Sequence, residues 1–132
     1  TGLFTTMLFM DKDFTENIIY EKLLSDKLSV NLGYLYENVV AQILKANGNS
    51  LFYYTFLDEK SRHNFEIDFL LARKNKVCPI EIKSSGYKTH ASLDAFCEKY
   101  SSRILNKYLV YTKDLGKDKD VLSIPVYMTM FL

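Results

Sequence analysis

Four residues carry most of the chemical potential of this sequence: Asp68 and Glu81, with twelve residues between them, Lys83 two positions after the second acid, and Glu37 well upstream. Asp68 lies in Phe65-Glu66-Ile67-Asp68-Phe69-Leu70-Leu71. Strand alternation there puts Glu66 and Asp68 on one face and Phe65, Ile67, Phe69 and Leu71 on the other. In Pro79-Ile80-Glu81-Ile82-Lys83 the same rule places Glu81 and Lys83 together. On neighbouring strands, Asp68 and Glu81 would resist joint ionisation unless a cation sat between them. Mg²⁺ or Mn²⁺ meets that need, because a hard dication prefers carboxylate oxygens and keeps some of its waters. An ammonium at Lys83 could then orient the attacking water or stabilise charge developing on a phosphate. These are the parts of metal-assisted hydrolysis. The plainer account is an amphipathic strand pair whose charges face water. Against it, Leu70 takes the charged face of the first strand into apolar character, so the charges cluster at one end of the sheet.

The elements that must position these residues can be read from periodicity. From Leu32 to Ala46, the residues Leu32, Leu35, Tyr36, Val39, Val40, Ile43 and Leu44 form one apolar stripe, and Asn47-Gly48-Asn49 supplies the stop. Glu37 lies at the edge of that stripe, roughly 100 degrees from its centre, where it can lean toward a sheet. Segments 51–56, 65–72, 77–83 and 104–112 are rich in aromatic and β-branched residues and read as strands. Between the last two, Leu93, Phe96, Cys97 and Tyr100 recur at helical spacing after the Ser84-Ser85-Gly86 turn. The expected order is helix, three strands, helix, strand. A charged connector over 113–120 and a last strand over 121–128 follow, with Pro125 suggesting an edge position. Residues 1–31 read as a helical entry segment packed on the core, with Asp13 or Thr15 as caps and Ile18, Ile19, Leu23 and Leu24 at helical spacing; the domain proper is 32–132.

Composition sets bounds on the partners. A chain of 132 residues, 48% apolar, is long enough for one compact domain with a real core. Its net charge of +1 lacks the basic excess of dedicated nucleic-acid binders, so any such contact must rest on a local patch. Cys78 and Cys97 belong to no CxxC or Cys/His cluster and read as buried free thiols. No apolar run approaches a membrane span and no charged leader precedes a secretory stretch, so the reading is a soluble, cytoplasmic protein without a membrane partner. Thr1-Gly2 in place of an initiator Met suggests a piece of a longer chain.

Asp68, the gap, and Glu81-Ile82-Lys83 together resemble the signature of the PD-(D/E)xK nuclease superfamily, in which many members add an acid from the preceding helix, here matched by Glu37. Gly33-Tyr34-Leu35-Tyr36-Glu37-Asn38, Tyr53-Tyr54, Glu66-Ile67-Asp68-Phe69 and Pro79-Ile80-Glu81-Ile82-Lys83-Ser84-Ser85 resemble one family within it more narrowly. That family is the domain of unknown function found C-terminal to many bacterial and archaeal AAA-type ATPases. The resemblance implies a restriction-endonuclease-like α/β core with a central mixed sheet flanked by helices. It also implies metal ligands Glu37, Asp68 and Glu81, catalytic residues Asp68, Glu81 and Lys83, nucleic acid as partner, and an ATPase module upstream. No GxxxxGK[ST] occurs here, so no ATP site is expected in this chain. The sequence departs from the pattern in having Ile67 before Asp68, where others have Pro, and in lacking the Gln that some subfamilies place after the lysine.

Two rivals stand beside a Mg²⁺-dependent nuclease-like domain. One is a catalytically silent module that serves the ATPase by docking or by sensing nucleic acid, and the other is a structural α/β domain with incidental charges. Lys88, His90, His63, Arg73, Lys74 and Lys76 read more simply as solvated loop charges than as phosphate grips. The tyrosines and phenylalanines mostly sit at core periodicity, and Ser84 and Ser85 read as a turn.

Overall fold

The computed structural model describes residues 32–57 and 64–132. The expected entry segment over 1–31, and His63, lie outside the described residues. The elements run α1 (Leu32–Ala46), β1 (Phe52–Leu57), β2 (Asn64–Arg73), β3 (Lys76–Ile82), α2 (Ala91–Lys99), β4 (Lys107–Tyr111), β5 (Gly116–Asp118) and β6 (Val121–Pro125), closed by a 3-10 segment over Val126–Phe131. The expected order of helix, three strands, helix and strand is present, in a mixed α/β domain. One mixed six-stranded sheet holds all the strands in the order β1-β2-β3-β4-β6-β5. β1, β2 and β3 form an antiparallel meander; β4 lies parallel to β3 after the crossover through α2, and β6 lies parallel to β4.

A helix covers each face. Val40 and Leu44 of α1 pack with Leu71, Cys78, Ile80, Ile82, Val110 and Ile124. On the other face Leu93, Phe96 and Cys97 of α2 pack with Ile67, Leu109 and Val121. Strands buried on both faces need apolar residues at nearly every position, which is why β3 reads Val77-Cys78-Pro79-Ile80 without alternation. Tyr54, Phe56, Phe96 and Tyr100 add an aromatic seam that ties β1 to α2, closed by a 2.8 Å hydrogen bond between the Tyr54 and Tyr100 hydroxyls. Cys78 and Cys97 are buried and free. Among the described residues no helix is long and apolar enough to cross a membrane.

α1 ends as its sequence dictates. The Gly48 amide donates to the Lys45 carbonyl and the Asn49 amide to the Leu44 carbonyl, the paired bonds of a Schellman motif, with Gly48 at φ +80°. A Cβ at Gly48 would meet nothing within 4 Å, so the cost of adding one lies in the backbone alone. Gly48→Ala is therefore expected to lower stability by about 1 kcal/mol, read from the urea midpoint. Asn49 then works as a hub. Its amide nitrogen donates to the Leu44 and Leu132 carbonyls, and its oxygen accepts from the Arg73 guanidinium, joining the end of α1 to Leu132 and the β2–β3 hairpin.

Three expectations are corrected. The last strand, expected over 121–128, ends at Pro125, where the chain turns into the 3-10 segment Val126–Phe131. The charged connector contains a strand, β5, which pairs antiparallel with β6. Pro125 does not mark an edge, because β6 lies between β4 and β5; Pro125 is its last residue, beyond the stretch that β5 covers, so its missing N–H leaves no bond unmade there.

Candidate functional site

β2 does not alternate strictly. Phe52 pairs with Leu70 but Tyr54 pairs with Ile67, so two steps on β1 face three on β2, the count of a β-bulge. The extra residue falls at Asp68-Phe69. Ile67 accordingly packs on the α2 side while Phe69 and Leu71 pack on the α1 side, where alternation had put all three on one face. The consequence for chemistry is direct. Without the bulge Asp68 would continue the Phe69↔Ile80 register and stand opposite Glu81 on the same face. With it, Asp68 turns to the α1 side.

There Asp68 shares a pocket of about 330 Å³ with Tyr34 and Glu37 from α1 and Glu66 from β2. Glu37, Val40 and Leu44 stand at helical spacings of three and four, so the face of α1 that is seated on the sheet also carries Glu37. Pairing of β2 with β3 stops at Phe69↔Ile80, and the Asp68 carboxylate fills the gap by accepting the Ile82 amide at 2.6 Å. Burial is the main force on Asp68 and pushes its carboxyl up to about 7; the Ile82 amide opposes the rise, and the negative charges of Glu37, Glu81 and Glu66 add to it. Burial, and then Glu66, also raises Glu37.

Glu81 follows a different course. It lies between Ile80 and Ile82, both packed on the α1 side, and so projects toward α2. It is 4% exposed. One oxygen, Oε2, accepts the Leu93 amide at 3.2 Å and the other, Oε1, lies 2.9 Å from Lys83 Nζ. The reason is at the start of α2. Its cap residue His90 makes no side-chain cap bond, and the first intrahelical donor is Asp94, whose amide reaches the His90 carbonyl. The Leu93 amide is one of the orphan donors of the first turn, and Glu81 satisfies it from the neighbouring strand.

The four sequence-predicted residues are thus divided. Glu37 and Asp68 come together, joined by Glu66; Glu81 and Lys83 form a pair of their own at α2. The expectation that all four converge in one pocket is corrected by the bulge at Asp68 and by the uncapped start of α2. Glu81 is near enough for its charge to act on Asp68, but among the described residues no three acidic, imidazole or thiol groups are gathered to hold a metal ion. An all-oxygen pocket containing Glu37 and Asp68 suits a hard dication in donor type. Glu81, which projects toward α2 from the other face of β3, does not complete the set in this arrangement.

Tyr34 was not marked as a site residue, although its position three before Glu37 puts it on the same helix face. The Leu93 amide was equally hidden; the available signal was a helix opening on His90-Ala91, with none of the usual side-chain caps. His90 stays outside the pocket, with Nδ1 2.9 Å from an Asp94 carboxylate oxygen, and Lys88 is exposed.

No curated protein matches the chain. The family described as Domain of unknown function (DUF4143) matches residues 32–127, most of the sequence and every described element from α1 to β6, and the chain belongs to that family.

Proposed function

We propose that this domain is a restriction-endonuclease-like module of the PD-(D/E)xK type, carried by an AAA-type ATPase, which takes Mg²⁺ or Mn²⁺ at Glu37 and Asp68 and cleaves nucleic-acid phosphodiesters. The observation that carries the reading is the Glu37–Asp68 pocket at the point where β2 and β3 part. Two acids from separate elements share it with Glu66, and Asp68 is held there by a backbone amide while three neighbouring carboxylates repel its charge. Natural folds seldom gather uncompensated acids in a half-buried place unless something positive is to enter. The antiparallel meander followed by a parallel β4 after α2, with a helix on each face, supports the restriction-endonuclease-like topology.

Glu37 and Asp68 would hold the cation, while Glu81 stays on the opposite face of β3 with the Leu93 amide and Lys83. When bound, the cation would supply a Lewis acid for a phosphoryl oxygen and a more acidic water. Lys83 is partly exposed and, released from Glu81, reaches solvent where a substrate phosphate would approach. Asp68 keeps its place through the Ile82 amide.

A second reading has its own observation. Glu81 and Lys83 satisfy each other, as they would in a catalytically silent module that docks on the ATPase or senses nucleic acid. Calorimetric titration with Mn²⁺ is expected to show binding that disappears in Asp68→Asn and weakens about tenfold or more in Glu37→Gln. Plasmid, single-stranded DNA and RNA incubated with the ATPase-bearing parent chain, Mn²⁺ and ATP are then expected to be cut, and Lys83→Ala is expected to stop the cutting. Cation binding without cleavage establishes the silent module. Absence of any cation binding removes the first reading altogether.

A further inference from the structure

The two edges of the sheet are built differently. β5 closes one side as a three-residue strand carrying Lys117 and Asp118, short and charged in the way that discourages a further strand from pairing. β1 closes the other side, and among the described residues no strand lies beyond it. It runs for six residues, and the stretch Leu51-Phe52-Tyr53-Tyr54-Thr55-Phe56-Leu57 contains no charge, proline or glycine. In an antiparallel pair each strand turns alternate N–H and C=O groups away from its neighbour, so the outer edge of β1 offers a row of main-chain donors and acceptors to an extended peptide. Leu51, Phe52, Tyr53 and Leu57 are exposed along that edge, Tyr53 at 73%. Tyr54 and Phe56 pack on the α2 side, which sends Tyr53, Thr55 and Leu57 to the α1 side.

We propose that β1 pairs antiparallel with β1 of a second copy of this chain, about a two-fold axis that passes between the two Tyr54 residues, joining two six-stranded sheets into one. The inference stands apart from the cation reading above. The occupant follows from the edge itself. Main-chain groups call for another strand, the absence of charge lets the same sequence face itself without like charges meeting, and an isologous contact closes at two copies. A two-fold axis normal to the sheet keeps each face on its own side, so only residues of one face can stand opposite each other. Centred on Tyr54, the register sets Leu51 against Leu57, Phe52 against Phe56 and Tyr53 against Thr55, and every exposed apolar residue of the stretch gains a neighbour. Centres at Tyr53 or Thr55 leave Leu57 or Phe52 beyond the end of the other copy's stretch. Phe52, on the α2 side with Leu70, then carries the aromatic seam of Tyr54, Phe56, Phe96 and Tyr100 across the axis. Both α1 faces lie on one side of the joined sheet, with the two β2 strands three strand spacings apart, about 14 Å. Thr55 pairs with Glu66, so Tyr53 of the second copy comes to stand two strands from the lining of the acid pocket.

Sedimentation equilibrium of the chain from about 1 µM to about 1 mM, a span that covers interfaces of modest size, tests this without reference to activity. The weight-average mass is expected to rise from 15.4 kDa and level at twice that value. The double variant Tyr53→Lys, Thr55→Lys sets like charges opposite each other on both sides of the axis, and is expected to weaken dimerisation about a hundredfold or more. The double variant Tyr53→Glu, Thr55→Lys sets opposite charges at the same points, and is expected to recover most of that loss. Both positions are exposed, so neither variant removes a core contact, and the urea midpoint of each at the lowest concentration checks that it is folded. A mass fixed at 15.4 kDa throughout overturns the proposal and leaves this edge to a strand of another protein. A dimer that the double-lysine variant leaves intact lies on a different surface, and a folded Glu–Lys variant that stays monomeric refutes the Tyr54-centred pairing. Growth beyond two copies overturns it as well, because a paired edge has nothing left to offer a third.

Discussion

Asp68→Asn is expected to make the domain more stable at neutral pH while removing its affinity for a divalent cation. Asp68 is raised to about 7 in the fold from an ordinary value of 3.8, chiefly by burial and then by its acidic neighbours against the help of the Ile82 amide. A carboxyl whose folded value lies above its unfolded value opposes folding once it must ionise. The penalty is absent below about pH 4, grows between about pH 4 and 7, and is constant above that. At its plateau it is on the order of 4 kcal/mol. Asparagine removes the charge, and its carbonyl oxygen can still accept the Ile82 amide, so the variant escapes the penalty without leaving that donor unsatisfied. Urea unfolding at about pH 4 and about pH 8 gives the measurement: the midpoints should lie close together at the lower pH and separate widely at the higher one. A gap that does not widen with pH would mean that Asp68 is not under the strain described. Mg²⁺ adds a second dimension. A cation that binds only the folded state, at a hundredfold excess over its dissociation constant, stabilises by about 2.7 kcal/mol. If the pocket is a cation site it should restore most of the lost stability to the unaltered chain and none to the variant, whereas if no cation binds there it should leave both unmoved. A residue that lowers stability until its ligand arrives is the common mark of a site selected for function.

How much of this was legible in the sequence depends on what kind of signal each feature leaves. α1 announced itself through a stripe at helical spacing and a Gly48 stop, and the structure places both as read. The four longer strand segments were equally plain, because β-branched and aromatic runs bounded by turn residues have few other uses. β5 was not, since Gly116-Lys117-Asp118 is too short and too polar to leave a period of two. The bulge at Asp68-Phe69 was invisible for a deeper reason. Alternation is a statement about one strand, while a bulge is a statement about its register with a neighbour; Phe65 through Leu71 fits a regular strand, and only the pairing of Tyr54 with Ile67 reveals the extra residue. That single residue decides which acids meet. Glu37 with Asp68 was within reach of helix geometry, whereas the attachment of Glu81 to α2 depends on a backbone amide, which every residue but proline carries and which therefore leaves no mark on a sequence.

The largest loss of stability from one side chain is expected at Leu44→Ala, and the same change should disturb the site from a distance. Leu44 is fully buried and packs among Val40, Leu71, Ile80 and Val110. Ile80 and Val110 belong to strands hydrogen-bonded on both sides, β3 between β2 and β4 and β4 between β3 and β6, so the sheet cannot sink into the space left behind. Where surroundings cannot relax, truncating a buried leucine costs about 3–5 kcal/mol, a large share of the roughly 5–15 kcal/mol that holds a domain together. Urea unfolding measures the loss, and Lys45→Ala, one residue further on and exposed, should change it by no more than about 0.5 kcal/mol. The functional consequence comes from helix spacing. Glu37 shares its face of α1 with Val40 and Leu44, so the packing that seats the helix is also what aims Glu37 at Asp68. Mn²⁺ affinity measured under conditions where Leu44→Ala is still folded should therefore fall as well, although residue 44 lies outside the pocket lining. A stability loss under about 1 kcal/mol would show that α1 is not seated on the sheet through Leu44, and Glu37 would then have no rigid support from which to serve as a ligand.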